Sequence, residues 1–136
     1  MYPRIIKALL PKRMPHAMGL VAMLGLLPAM AFASPPQGEW RGMIKQANTD
    51  VAVQVSFHGQ AADFHFNAPF TCDVPAWFVK DDGFSNVYSF AASKHGGRFC
   101  DELLGRKLTF FMASQGRLTT AFDSANAKWH GVLSQP

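Results

Sequence analysis

Hydrophobic and polar residues alternate with a period of two along most of this chain. Valine and phenylalanine occupy every second position of residues 51–57, and the positions between them are small or polar. The alternation returns in residues 62–67, after Gly59 and Gln60, which are typical of a tight turn. This pattern predicts two half-buried β-strands that form a hairpin.

A two-residue loop fixes how the strands of this hairpin pair. His58 would pair with Ala61, and Phe57 with Ala62, which places the apolar residues of both strands on one face. The same register turns His65 and His58 towards solvent, about 13 Å apart, too far to chelate one metal ion together.

Further turn residues divide the rest of the chain into short strands. These strands are predicted at residues 39–45, 70–80, 84–91, 107–113, 117–122 and 128–133. Residues 99–104 fit either a short strand or a helical turn. Seven to nine strands without an amphipathic helix favour an all-β, up-and-down antiparallel meander. Closure into a barrel of about eight strands would remove the exposed edges, and a β-sandwich is the alternative.

The first 33 residues have the composition of a secretory signal peptide. Basic residues lie within 4–13, an uncharged apolar stretch covers 17–27, and Ala31-Phe32-Ala33 fits a cleavage site. We therefore expect residues 1–33 to be removed and residues 34–136 to form a single β domain that is periplasmic or secreted. Retention of the segment as an anchor is the alternative.

Removal of the signal peptide changes the charge of the protein. The whole chain has a formal charge of +4, but four of its thirteen Lys and Arg and none of its nine Asp and Glu lie in residues 1–33. Nine basic and nine acidic residues therefore remain. This balance gives no reason to expect a nucleic-acid partner. Membrane contact is expected only through the signal peptide.

The two cysteines are predicted to form a disulfide. Cys72 and Cys100 are the only cysteines of a chain that is expected to reach an oxidising compartment. Closing this loop would stabilise a small domain by about 3–4 kcal/mol through the lower entropy of its unfolded chain. Their spacing fits no zinc or redox motif, so we expect no metal and no cofactor.

Gly38-Glu39-Trp40 resembles the G-x-W motif on the first strand of the calycins, the barrel superfamily that includes lipocalins and avidins. The resemblance implies that Trp40 closes one end of the barrel beneath a ligand cavity, with Trp129 of the last strand beside it. Small disulfide-bearing barrels also include the periplasmic lysozyme inhibitors of Gram-negative bacteria. The many large phenylalanines nevertheless predict a filled interior.

The longest break in the strand pattern is the candidate binding loop. It contains His95, Gly96, Gly97 and Arg98, whose backbone N–H groups and guanidinium can bind an anion. Loops on a rigid barrel are where binding residues tend to lie. Trp77 and the residue after it face opposite ways on a strand, and an outward Trp77 would anchor a partner.

These features favour an exported, non-enzymatic module that recognises a macromolecule, with another protein as the expected partner. An inhibitor of an extracytoplasmic enzyme is one example. The alternatives are a carrier of a small apolar ligand, an accessory subunit of an envelope complex, and a hydrolase. The hydrolase would use Asp73 and Asp101, which each follow a cysteine and would be brought together by the disulfide. The chain has no nucleophile motif, so no catalytic residue is assigned.

Overall fold

A computed structural model describes Gly25 and residues 35–136. The predicted signal peptide, apart from Gly25, and its cleavage site lie outside the described residues. In chain order the elements are β1 (Gly38–Gln46), β2 (Thr49–His58), β3 (Ala61–Phe66), β4 (Cys72–Asp81), β5 (Asn86–Phe90), α1 (Arg98–Asp101), β6 (Lys107–Met112), a 3₁₀ turn (Ser114–Gly116), β7 (Arg117–Asp123) and β8 (Lys128–Ser134).

The strands form a closed barrel in which each strand is antiparallel to the next and β8 pairs with β1. This topology confirms the predicted all-β, up-and-down barrel of eight strands and rules out the sandwich. The β2–β3 hairpin has the predicted register, with His58 opposite Ala61 and Phe57 opposite Ala62. A tight turn and one buried face together determine this register.

Alternate residues of the strands point into the barrel and form the core. Phenylalanine rings from five strands meet across its axis. The ring centroids are 5.1 Å apart for Phe57 and Phe110, 5.2 Å for Phe64 and Phe90, and 5.4 Å for Phe90 and Phe122, all edge to face. This is a favourable geometry for aromatic pairs. The rings therefore occupy the axis, where the sequence predicts a filled interior.

Strands β1 and β8 approach each other closely where the barrel closes. Each strand contributes a glycine to this seam, Gly42 in β1 and Gly131 in β8. A Cβ atom added at Gly42 would lie 2.0 Å from the carbonyl oxygen of Val132, and one added at Gly131 would lie 2.2 Å from that of Met43. Only glycine fits at either position without a movement of the backbone.

Trp40 and Trp129 lie at opposite ends of the barrel, so the predicted contact between them is wrong. Arg41, next to Trp40, pairs with Ser134 at the last position of β8, whereas Trp129 is the second residue of that strand. Because the two strands are antiparallel, the start of β1 meets the end of β8. Closure brings the strands together but keeps the tryptophans apart.

An aromatic cluster and the disulfide close the end of the barrel that holds Trp129. Phe70 stacks on Phe99 with ring centroids 3.8 Å apart, and both rings meet Trp129 edge on. The predicted bond between Cys72 and Cys100 ties α1 to the first residue of β4, with a Cα–Cα distance of 6.2 Å. The segment that fitted either strand or helix therefore begins as helix.

Candidate functional site

The chain that leaves β5 continues beside β4 and forms the candidate binding loop. The N–H of Ala91 donates to the carbonyl of Pro75 at 2.8 Å, and that of Lys94 donates to the carbonyl of Asp73 at 2.9 Å. The N–H of Asp73 donates in turn to the carbonyl of His95 at 3.2 Å. Backbone pairing thus places residues 93–95 beside the first residues of β4.

Asp73 joins two histidines on the outer surface of the barrel. Its carboxylate oxygens lie 2.6 Å from Nδ1 of His65 and 3.1 Å from Nδ1 of His95. His65 stands opposite Asp73 in the β3–β4 register, whereas His95 comes from the loop. One carboxylate therefore fixes both a strand histidine and a loop histidine, each through Nδ1.

Asp63 binds the side chain of Lys94, the residue that precedes His95 in the loop. Its carboxylate lies 3.3 Å from Nζ of Lys94 and 2.9 Å from Nε2 of His58. Burial raises the pKa of Asp63, but the hydrogen bonds from His58 and Lys94 and their charges lower it by more, so the pKa lies below its usual value. Because Asp63 belongs to β3, the lysine side chain must cross β4 to reach it.

Together these side chains border a groove on the outer wall of β1 to β4, which we call the histidine groove. Its volume is about 380 Å³. It is lined by Glu39, Gln54, Ser56, Asp63, Phe64, His65, Asp73, Val74, Lys94 and His95. The lining combines hydrogen-bond donors, acceptors and charges of both signs, which suits recognition of a polar surface.

Asp101 of α1 fixes the other half of the loop. Its carboxylate accepts a hydrogen bond from the hydroxyl of Ser93, and its N–H donates to the carbonyl of Gly97 at 2.9 Å. A Cβ atom at Gly96 would lie only 3.2 Å from a carboxylate oxygen of Asp101. The glycine therefore lets the loop lie close to the helix that the disulfide anchors.

The structure brings some of the predicted binding residues together and separates others. His95 and Gly96 belong to the histidine groove and its support. Gly97 and Arg98 border a different depression of about 400 Å³, with Pro69, Phe70, Phe99 and Glu102. Trp77 is 58% exposed and lies four residues after Asp73, on the same outward face of β4.

The two carboxylates of the hydrolase hypothesis hold the loop in this structure. Asp73 accepts from His65 and His95, and Asp101 accepts from Ser93. Among the residues that the structure describes, no group of three or more His, Cys, Asp or Glu could hold a metal ion. The hydrogen bonds of these two carboxylates are suited to positioning the exposed loop that contains His95.

Sequence reasoning did not identify Asp63, His65 and Lys94 as parts of the site. The hairpin register does turn His65 outwards, and the β3–β4 register then sets it opposite Asp73. That second register depends on where β4 begins. The sequence predicts this strand from residue 70, two residues before its observed start at Cys72. No local pattern indicates that the chain after β5 lies beside β4.

Within the described part of the chain, no helix is long and apolar enough to cross a membrane. Comparison of the chain with known protein families, with curated proteins and with solved structures finds no match. The geometry of the surface itself is therefore the basis for any function assigned to this chain.

Proposed function

We propose that this chain is an exported, non-catalytic module that binds another protein through the histidine groove and Trp77. The observation that carries the proposal is the way the loop is held. The side chains of Lys94 and His95 are well exposed, at 60% and 80%, yet both are bound to carboxylates of neighbouring strands. A contact surface that is ordered before binding loses less conformational entropy when the partner arrives.

The order of the loop comes from several weak bonds and one covalent bond. Exposed ion pairs such as those of Lys94 and His95 each contribute only about 0–1 kcal/mol. The backbone pairing with Asp73, the support from Asp101 and the nearby disulfide act on the same short segment. Their combined effect is to fix the loop without burying its side chains.

Trp77 supplies the apolar part of the proposed interface. It lies on the same wall as Asp73, about 13 Å along β4 at the usual rise of a strand. Tryptophan is enriched among the residues that dominate binding energy in protein interfaces. A standard interface buries about 800 Å² on each partner, which is wide enough to include both features. An extracytoplasmic enzyme is the class of partner that we favour.

The experiment captures partners from the compartment to which the protein is exported, using immobilised residues 34–136. Trp77→Ala, and the double variant Lys94→Ala/His95→Ala, should each weaken retention of the partner about 30-fold. Lys128→Ala/His130→Ala is the matched control, because both are exposed residues on the opposite wall of the barrel and Lys128 is ion-paired as Lys94 is.

Two results would count against the proposal. One is that no protein is retained at micromolar concentration. The other is that a partner is retained equally by the control and by both groove variants, which would place its binding surface elsewhere.

A further inference from the structure

A row of apolar side chains crosses the outer wall formed by β6, β7, β8 and β1. Phe111 pairs with Thr119, Thr119 with Val132, and Val132 with Met43. Phe111, Val132 and Met43 are 41%, 48% and 41% exposed, whereas their neighbours Phe110, Leu133 and Ile44 lie in the core. We call this surface the apolar row. It spans about 14 Å at the usual spacing between strands.

The most exposed aromatic residue of the described chain is Phe84, which is 85% exposed in the loop between β4 and β5. The loop is ordered by Asp82, whose carboxylate accepts hydrogen bonds from the N–H of Phe84 and from the N–H and hydroxyl of Ser85. These hydrogen bonds lower the pKa of Asp82, with those from Ser85 contributing most. The loop thus holds a phenylalanine in water instead of folding it onto the barrel.

The register of β5 and β6 places this phenylalanine at the end of the barrel next to the apolar row. Asn86 pairs with Phe110, so extension of the same register places Phe84 beside Met112. Phe84 therefore lies at the end of β6 that carries Met112, which is 58% exposed and follows Phe111 of the row. Phe84 and Met112 thus form an apolar rim at this end of the barrel, beside the outward-facing Phe111 of the row.

Two arginines border the apolar row. Arg41 and Arg117 each pair with Ser134, from opposite sides, which places them about 10 Å apart on the wall. Neither forms an ion pair within residues 35–136, unlike Lys45, which lies 3.8 Å from Asp50. Two cations held close together without a counter-ion repel each other and attract an anionic surface.

The charges of the barrel strands are segregated between its two sides, although Asp81 and Asp82 stand beside Phe84 at the loop tip. Strands β6, β7, β8 and β1 carry five basic and two acidic residues, whereas β2 to β5 carry one basic and four acidic residues. The charges of residues 34–136 balance overall, so the difference lies in their placement. An electric field of this kind turns the apolar row, and not the histidine groove, towards a negatively charged surface.

A second copy of the chain does not fit this surface. In a symmetric contact, the basic wall of one copy would face the basic wall of the other, and the arginines would repel. A rigid protein partner would also need a cavity shaped for the protruding Phe84. A fluid bilayer needs no such cavity, and the phosphates of its headgroups supply the missing negative charges.

We infer that this chain docks peripherally on bilayers that contain anionic phospholipids, whereas the sequence alone predicts membrane contact only through the signal peptide. Phe84 and Met112 enter the boundary between headgroups and acyl chains, and Arg41 and Arg117 bind lipid phosphates. His65, Asp73 and His95 of the histidine groove lie on β3, β4 and the loop beside β4, away from the strands that carry Arg41 and Arg117, and stay free to bind the partner. The two surfaces adjoin on β1, where Arg41 pairs with Gln54 of the groove. Lipid binding and partner binding are nevertheless tested through different residues, so either assignment can fail without the other.

The test measures partition of the barrel between water and lipid vesicles. Residues 34–136 are used because they contain the whole barrel and because the apolar segment 17–27 would bind lipid by itself. Vesicles of phosphatidylcholine with about 30% phosphatidylglycerol should bind the protein at least tenfold more strongly than phosphatidylcholine alone. About 0.5 M salt should remove most of this difference, because it screens the charges.

Variants separate the apolar and the electrostatic parts of the contact. Phe84→Ala should lower the partition coefficient about tenfold, with Leu104→Ala as its control, since Leu104 is 61% exposed beyond α1. Arg41→Gln/Arg117→Gln should lower it about 25-fold on the anionic vesicles only. Arg98→Gln/Arg106→Gln is the matched control, because it removes two positive charges from the other end of the barrel, and it should leave the partition coefficient unchanged.

Several outcomes would overturn the inference. The first is that the wild-type barrel does not bind anionic vesicles at low salt, which would leave an acidic protein as the occupant that fits the charges. The second is that the Phe84 variant and its Leu104 control bind equally well. The third is that the arginine variant keeps its affinity. Thermal melts of each variant confirm that the barrel is intact.

Discussion

Replacement of Gly131 by alanine tests whether the barrel closes as the structure shows. The added Cβ atom would lie 2.2 Å from the carbonyl oxygen of Met43 and 2.9 Å from the Cα of Ile44. Both neighbours are backbone atoms of β1, so no side-chain rotation can make room. Strands β1 and β8 must therefore separate where the barrel closes.

The size of the effect follows from this contact. Relief of such overpacking costs about 1–3 kcal/mol. Separation of the strands also weakens the hydrogen bonds on both sides of Gly131, each worth about 1 kcal/mol. We expect the free energy of unfolding to fall by about 3–5 kcal/mol, a large part of the stability of a small domain. The melting temperature of a domain of this size should fall by about 15–25 °C.

Urea unfolding of residues 34–136, followed by tryptophan fluorescence, measures this loss. The control is Gly59→Ala in the β2–β3 turn, where φ is +62° and an added Cβ meets nothing within 4 Å. That variant should lose only about 1 kcal/mol, from the left-handed backbone alone. Both variants replace glycine by alanine, but only the alanine at position 131 would clash with neighbouring atoms.

A loss for Gly131→Ala no larger than that for Gly59→Ala would refute the reasoning. It would mean that β8 does not pack against β1 at the observed distance. Arg41 and Arg117 would then not flank Ser134, and the surface proposed for lipid would not exist as one surface.

Three further predictions concern stability and ionisation. Replacement of Cys72 and Cys100 by alanine should lower the free energy of unfolding by about 3.5 kcal/mol, because a separation of 28 residues is no longer closed in the unfolded chain; an unchanged urea midpoint would contradict this. The pKa of Asp63 is raised by burial but lowered by more through its hydrogen bonds and cationic neighbours, so it lies below its usual value. Stability should therefore fall as the pH falls through that pKa, and Asp63→Asn should remove this part of the dependence; parallel pH profiles of the urea midpoint would argue against it. Burial raises the pKa of Tyr88 to about 12. Tyr88 is the only tyrosine between residues 34 and 136, so tyrosinate absorbance should titrate near that value in the folded protein, and a midpoint near 10 would exclude it. Stability should fall as the pH rises from about 10 to 12, because the unfolded chain loses its proton first.

The candidate site could be predicted only in part. The loop with His95 interrupts the strand alternation, and such an interruption is visible in the sequence. Its supports are Asp73 and Asp63, which belong to two strands that precede the loop. Their role depends on backbone pairing of the loop with β4, and that pairing leaves no periodic pattern in the residues.

The sequence by itself determined the strands, the β2–β3 register and the cysteine pair. Alternation shows which residues of a strand face the core, and a two-residue turn sets the offset between adjacent strands, because both effects act over a few residues. The cysteines could pair only with each other within residues 34–136.

Tertiary structure alone decided what meets across the seam of the barrel. Met43 and Val132 are neighbours because β1 pairs with β8, and the offset of that pairing keeps Trp40 and Trp129 at opposite ends. Closure is a property of all eight strands, since their number, tilt and stagger must agree for the sheet to meet itself. The apolar row and its arginines arise from that agreement, so no local stretch of sequence could reveal them.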